Sequence, residues 1–465
     1  MPSPPANGTQ AGHAPVAADA SPTRALFIEM LTRDIGLIPA IVDLVDNCVD
    51  GARLLRGKAS FDDLCVRVET SPGELRVVDN CGGIDADVAR AYAFRFGRPP
   101  GAPFVPHSIG RFGVGMKRAF FKVGKHFRVQ SRAARSHFVV DVDVEKWAHA
   151  DKSKEQVPWE FPFEVFEENL AQAPEDKRRT EITITRLHDD VADLFKQTSF
   201  EKRLAAEIES RLQTAIVSGL AITLNQLPVD RKPLELLDQV QLLPAYRQCV
   251  YGTGRERVTV KLYCGLGPSV PPELAGWHVF CNGRLVLKGD KTRDTGWDTV
   301  VVQEGGEKIP GFHPQFHRFR GYAYFDCDDA GCLPWNTTKT ALNTDSPVYR
   351  AVALEMKSLM RPVIDFLNRL KEEKQGQQDP GEKGPLEILV ESAVPKPVGD
   401  VATRSAFDMP KVRIPKKPKG PVMQRIQYDK PLEQVSRAKL ALGVRSFKEV
   451  GEKTFEYWYD SECPE

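Results

Sequence analysis

Apolar and polar positions recur along this chain with two different periods, and the switches between them outline its elements. From Ala25 to about Leu187 helical and strand-like periods alternate. The pattern predicts a helix near Pro39–Leu55 and strands over Cys65–Glu69 and Leu75–Asp79. Further strands fall at His126–Ser131, His137–Val144 and Thr180–Leu187. Over Phe200–Gly219, Leu204, Ile208, Leu212 and Ile216 recur every fourth residue, the spacing of an amphipathic helix. A second α/β region runs from Ala221 to about Leu370, with strands at Val258–Tyr263, His278–Cys281 and Tyr322–Asp326 and a closing helix over Ser346–Leu370.

Residues 1–22, rich in Pro, Ala, Ser and Gly, read as a disordered tail, and 373–420 as a Pro/Gly/Lys-rich linker. The remaining boundaries fall at 23–195, 196–372 and a small helical C-terminal segment, 421–465. The chain has 465 residues, enough for two or three domains at the usual 100–200 residues each.

Charge narrows the function classes. Lys+Arg 64 against Asp+Glu 63 leaves a net charge of +1, so nucleic-acid or membrane binding would have to come from a local patch. The nine cysteines are scattered, and the closest pair, Cys327 and Cys332, has no nearby Cys or His set to complete a zinc site. That usage fits a reducing, cytoplasmic setting. The N-terminus lacks both the basic start and the apolar core of a signal peptide, and no run of about 18 apolar residues suggests a membrane span.

Three stretches carry candidate chemistry. In Pro39-Ala-Ile-Val-Asp43-Leu-Val-Asp46-Asn47-Cys-Val-Asp50-Gly51-Ala52, helical geometry puts Asp43, Asp46, Asn47 and Asp50 in one wedge, opposite Leu44, Val45, Cys48, Val49 and Ala52. A solvated acidic face is the plain alternative. Such faces usually carry Glu, Lys and Arg, however, because Asp and Asn are weaker helix formers. Short fixed oxygens suit a hard Mg²⁺ ion and the polarising of a water. In Leu75-Arg-Val-Val-Asp79-Asn80-Cys81-Gly82-Gly83, an apolar strand runs into Asp and two glycines, which read equally as a simple turn. In Gly110-Arg-Phe-Gly113-Val-Gly115-Met-Lys117, glycines ahead of a helix let backbone N–H groups approach an anion, and Lys117 adds a charge. It is not a Walker loop, since the Gly-Lys-Ser/Thr ending is absent.

In this order and spacing the motifs resemble those of the GHKL ATPases, which include gyrase B subunits, heat-shock chaperone ATPases, histidine kinases, MutL and MORC proteins. Asp43-x-x-x-Asn47-x-x-Asp50-Gly51-Ala52 resembles the first family motif, Asp79-Asn-Cys-Gly-Gly83 the second, and Gly110-x-x-Gly113-x-Gly115-x-Lys117 the glycine-rich lid. Arg179-Thr180-Glu-Ile-Thr-Ile resembles the strand that closes the pocket. The resemblance implies a Bergerat-type α/β sandwich, a mixed sheet covered by helices on one face, followed by a smaller α/β transducer-like domain. It implies ATP and Mg²⁺ as ligands and hydrolysis of ATP to ADP and phosphate. Asn47 would hold Mg²⁺, Asp50 and Gly83 would belong to the nucleotide pocket, and Asp79 would accept the adenine amino proton with Thr180 in support. Gly110, Gly113, Gly115 and Lys117 would enclose the phosphates, and Asp43 stands where hydrolysing members place a Glu that activates water. The sequence departs from the family at Asp43, one methylene shorter than Glu, at Cys81 for a glycine and at Arg179 for a glycine.

Leu333-Pro-Trp-Asn-Thr-Thr-Lys339-Thr340 resembles the second-domain loop whose cation reaches the γ-phosphate, making Lys339 the candidate; a surface lysine in a polar turn is the plain alternative. His278-Val-Phe-Cys-Asn282-Gly283-Arg284-Leu resembles a strand of MORC-like second domains and reads locally as an Asn-Gly β-turn. The layout is nearest to MORC-like proteins, which implies an ATP-dependent homodimer. Arg413, Lys416, Lys417, Lys419 and Arg425 form a basic stretch that reads as linker or as a contact for DNA. A protein client could dock on the aromatic C-terminal segment. Two alternatives stand beside the ATPase: a non-hydrolysing nucleotide-dependent scaffold and a heat-shock-type chaperone.

Overall fold

A computed structural model describes residues 22–57, 59–97, 99, 105–110, 113–149, 158–269, 271–301, 307–376, 383–410 and 424–463. The N-terminal tail and most of the basic stretch, including Arg413, Lys416, Lys417 and Lys419, lie outside them. The chain divides into two compact units, residues 1–414 and 415–465.

The first unit opens with helices α1 (Arg24–Arg33) and α2 (Leu37–Arg56), then hairpin strands β1 (Cys65–Thr70) and β2 (Glu74–Asp79). A short helix α3 (Ala86–Val88) runs into a π-helical turn, Ala89–Ala93. Next come α4 (Gly115–Val123), β3 (Gly124–Arg132), β4 (His137–Asp143), α5 (Val144–His149), β5 (Phe163–Glu167) and β6 (Arg179–Leu187). Helices α6 (Asp189–Phe195), α7 (Thr198–Arg211) and α8 (Gln213–Val217) lead to β7 (Ala221–Leu224) and β8 (Leu227–Pro228). These eight strands form one mixed sheet, ordered β5-β4-β3-β6-β2-β1-β7-β8, in which only β1 and β7 are parallel neighbours.

Period-2 alternation explains its two faces. Val66, Val68, Leu75, Val77, Phe127, Val129, Ile182 and Ile184 are buried on one face, where α2 and α4 pack. The other face is polar: Arg76 bridges Glu69 and Glu181, and Arg128 reaches Asp141 and Glu164. This is the expected Bergerat-type α/β arrangement. Helix α1 is tied down by Arg24, which donates to the carbonyls of Trp147 and Pro158 and lies 4.7 Å over the Trp147 ring.

Two details differ from the sequence pattern. Strands β7 and β8 complete the first sheet although they lie beyond residue 195, because a strand parallel to β1 requires the α7–α8 crossover before it. The helix over 200–219 is also broken at Leu212, between α7 and α8.

The second sheet is built from β10 (Ala245–Tyr251), β11 (Val258–Leu266), β12 (Gly276–Cys281), β13 (Arg284–Asp290) and β16 (Phe319–Asp326), ordered β10-β11-β16-β12-β13. Strand β9 (Glu235–Asp238) precedes them, and the hairpin β14 (Thr299–Val301)–β15 (Glu307–Ile309) lies between β13 and β16. Helix α9 (Pro347–Gly376) packs against β10, β11 and β16. The stretch expected to be linker is partly folded. Helix α10 (Pro385–Ser392) buries Leu386 and Val390, and Glu373 accepts from the amides of Leu386 and Glu387 at its start. Strand β17 (Val394–Pro397) pairs with β9. Beyond it, Val398 and Val401 join Leu236, Phe280, Leu285 and Tyr322 in a second core. Every residue of β12 is buried, so its apolar residues demand cover on both faces.

The second unit consists of α11 (Leu432–Leu442), ended by Gly443 in the left-handed region, and α12 (Phe447–Glu462), started by Ser446, which caps the Glu449 amide. Among the described residues no helix is long and apolar enough to cross a membrane.

Candidate functional site

Helix α2 supplies the floor of the site. Pro39 lies in its first turn, where a missing N–H costs nothing, and the wedge of oxygens follows. The acidic face is not solvated: Asp43 and Asp46 are buried, and of the four wedge residues only Asn47 is exposed. Two buried carboxylates need partners, and three cations supply them. Lys339 Nζ lies 2.9 Å from Asp43 Oδ1 and 2.8 Å from Asp46 Oδ2. Arg118, from α4, donates to Asp43 Oδ2 at 2.9 Å and to the Thr337 carbonyl at 3.2 Å. Arg284 Nε stands 2.8 Å from Asp46 Oδ1.

Burial by itself would raise the Asp43 carboxyl, but Lys339 and Arg118 outweigh it and hold it below its usual range. Burial by itself would likewise lower the Lys339 ammonium, and Asp43 and Asp46 keep it above its ordinary value. For Arg284 burial prevails over Asp46 and lowers it. The Lys339 backbone adopts a left-handed conformation, φ +55°, which a side-chain-bearing residue takes only when its surroundings impose it.

The residues expected on the adenine side meet at the strand ends. Asp79 closes β2 opposite Thr180 in the β2–β6 register. Its Oδ1 accepts from the Cys81 amide at 2.8 Å. Burial raises the Asp79 carboxyl to about 6, although the Cys81 amide, the Cys48 thiol and the Thr180 main chain donate to it. Thr180 therefore supports Asp79 through its backbone, while its hydroxyl lies 3.5 Å from Ser131 Oγ. Gly83, at φ +75°, passes so close to Arg132 that a Cβ would sit 2.7 Å from its carbonyl carbon and nearer still to the oxygen. Cys81, in place of a glycine, is buried in the core.

The glycine-rich segment faces α2. Asp50 accepts from the Ile109 and Gly110 amides, both at 2.7 Å, so its carboxylate holds the main chain in place. A Cβ on Gly110 would lie 3.1 Å from Asp50 Oδ2, and one on Gly115 3.2 Å from Asp43 Oδ2, so a side chain at either would crowd the carboxylates of α2. Gly113 has φ +62°. Helix α4 begins at Gly115 with no side-chain cap and no acid in its first turn, which leaves amides for an anion. Arg118 Nε is buried nearby without a hydrogen-bond partner. Lys117 is placed differently from the glycines it was grouped with: its ammonium donates to the Ala93 carbonyl in the π-helical turn at 2.8 Å, and burial lowers it to about 7.

The structure thus gathers Asp43, Asn47, Asp50, Gly110, Gly115 and Lys339 around one face of α2, with Asp79, Gly83 and Thr180 at the strand ends; among the described residues nothing places Gly113 against α2. Sequence reasoning missed Asp46, Arg118 and Arg284 as partners. Arg284 carried a signal, a charge directly before the apolar run Leu285–Leu287 and after Asn-Gly. Arg118 had only its neighbour Lys117 to mark it.

A comparison with known families agrees with this geometry. Residues 35–173 match the model of the histidine kinase-, DNA gyrase B-, and HSP90-like ATPases, a domain of the GHKL type. No curated protein matches the chain.

Proposed function

We propose that the GHKL-type ATPase domain of residues 35–173 binds Mg·ATP between α2, the Asp79–Gly83 turn and the glycine-rich segment, and couples hydrolysis to the second domain in a MORC-like manner. The observation that carries this reading is the Lys339 ammonium, delivered from the second domain into the acidic face of α2. Asp79 takes the adenine amino group, and the α4 amides with Gly110, Gly113 and Gly115 take the phosphates.

The residues fit the ion as well. Asn47 presents an exposed amide oxygen beside the side-chain-free Gly110. Asn47 would hold the ion, and Mg²⁺ when bound would neutralise phosphate charge.

Asp43 accepts the proton of the attacking water once one of its two cations withdraws, and Lys339 then faces the charge developing on the transferred phosphoryl group. Closure of the glycine-rich lid around ATP favours a homodimer, with a protein or DNA client engaged through the basic stretch and the C-terminal helices. A second reading is favoured by the same cluster. A carboxylate held below its usual range by Lys339 and Arg118 is a weak base, as a non-hydrolysing nucleotide-dependent scaffold would have.

The test is binding of ATP and a non-hydrolysable analogue with Mg²⁺, with phosphate release and molecular mass recorded together. Binding, slow release and an analogue-induced dimer support the ATPase. Binding without release selects the scaffold, and no binding removes both. Asn47→Ala is expected to abolish Mg·ATP binding; retained affinity would exclude its metal role.

A further inference from the structure

The Asn282-Gly283 turn between β12 and β13 has a part to play beyond linking two strands. Asn282 (φ +46°) and Gly283 (φ +71°) both adopt left-handed backbone, as a tight two-residue hairpin requires. That turn touches both α2 and residues 107–110, the base of the glycine-rich segment. Asn282 Nδ2 donates to the Ser108 carbonyl at 3.1 Å, and its Oδ1 accepts from the Cys327 amide at 2.9 Å. Arg53 of α2 donates to the carbonyls of Asn282, at 2.6 Å, and His107, at 2.8 Å. The main-chain carbonyl of Asp328, just beyond β16, accepts from the His107 amide at 3.3 Å, and only its carboxylate Oδ1, 3.2 Å from His107 Nε2, is a side-chain contact. The next two amides, Ile109 and Gly110, are those that Asp50 holds. Four consecutive residues are therefore gripped from α2 on one side and from the second domain on the other.

We infer that the β12–β13 turn is a coupling point separate from Lys339: Asn282 is a positioning residue that fixes the base of the glycine-rich segment and ties its arrangement to the second domain. The nucleotide part of this inference rests on the ATP reading above; the clasp itself does not. Lys339 meets the carboxylates of α2, whereas Asn282 meets the main chain that presents Gly110. The two contacts consequently divide between them the reacting end and the holding of the ligand.

Asn282→Asp is the selective test. Asp tolerates left-handed backbone and keeps the acceptor for the Cys327 amide, but it replaces the Ser108 donor with a charged acceptor. In protein without nucleotide, hydrogen exchange at the Ile109 and Gly110 amides is expected to rise roughly tenfold or more, with β12 and β13 amides unchanged. Affinity for the non-hydrolysable ATP analogue is expected to fall severalfold, with turnover at saturation affected less than in Lys339→Ala. Acidification that protonates the new carboxyl should recover part of the loss relative to wild type. Asp328→Ala, at a half-exposed position, serves as a second variant and should loosen the same amides to a smaller degree. Unchanged exchange at Ile109 and Gly110 in both folded variants would overturn the inference. Wild-type protein that binds no nucleotide would instead remove the ATP reading, and the exchange result would still decide the clasp.

Discussion

Lys339 Nζ meets Asp43 Oδ1 at 2.9 Å across 296 residues of chain, joining the loop after β16 to the middle of α2. Asp46 shares the same ammonium, and Arg118 and Arg284 close the cluster from two other elements. Three cations thus face two carboxylates in a buried place where charge left over would favour a phosphate.

Lys339→Met should expose what this cluster contributes. Removing one partner of a buried ion pair costs about 3–5 kcal/mol, so denaturant unfolding is expected at a markedly lower midpoint, and adding Asp43→Asn should recover part of the loss. The signs of the shifts set the pH window. A depressed carboxyl stabilises above 3.8 and loses its effect as pH falls through its folded value; a raised ammonium stabilises below 10.5 and fails above it. Nucleotide binding should survive while phosphate release slows. Wild-type stability in the variant would mean that the cluster contributes nothing.

Lys117 offers a proton count. Burial lowers its ammonium from 10.5 to about 7, so folding is opposed by this group as pH falls from 10.5 towards 7. At pH 8 it is largely neutral; if phosphates draw it from the Ala93 carbonyl, binding of ATP should take up about one proton. Calorimetry in buffers of different ionisation heat measures this directly. Uptake that persists in Lys117→Met would place the proton elsewhere.

On the proposed ATP reading, Asp79 would link adenine binding to pH. Its carboxyl rises from 3.8 to about 6 on burial, so its protonated form stabilises the fold at low pH and that contribution fades as pH rises to about 6. A protonated carboxyl cannot accept the adenine amino proton as a carboxylate does. ADP affinity is therefore expected to drop below about pH 6 in wild type. In Asp79→Asn it should be weak and flat over the same range; a parallel pH dependence in both proteins would rule out Asp79 as its source.

Gly83 and Gly57 provide a matched pair. Both have positive φ, but a Cβ on Gly83 collides with Arg132, whereas one on Gly57 meets nothing within 4 Å. Gly57→Ala should cost on the order of 1–3 kcal/mol from backbone conformation alone, since φ +60°, ψ −116° lies outside the left-handed helical region. Gly83→Ala should cost more, because it must also displace the end of β3. Equal unfolding midpoints would show that the Arg132 contact yields without cost.

The sequence by itself determined what is local. Helical periodicity placed Asp43, Asp46, Asn47 and Asp50 on one face of α2, and period-2 alternation located the strands that end in Asp79 and begin at Thr180. Glycine spacing marked the segment whose backbone runs against the α2 carboxylates, where a Cβ at Gly110 or Gly115 would crowd Asp50 or Asp43. Tertiary structure decided what depends on distant chain. Whether the acidic face met water or cations rested on Arg118, Arg284 and Lys339, which come from three separate elements. No periodicity could pair them. The direction of Lys117 was set by the carbonyl exposed at the π-helical turn, and the docking of Val398 and Val401 by the need of β12 for cover on both faces. Propensity and pattern act over a few residues, whereas burying a charge is decided by whatever the finished fold brings beside it.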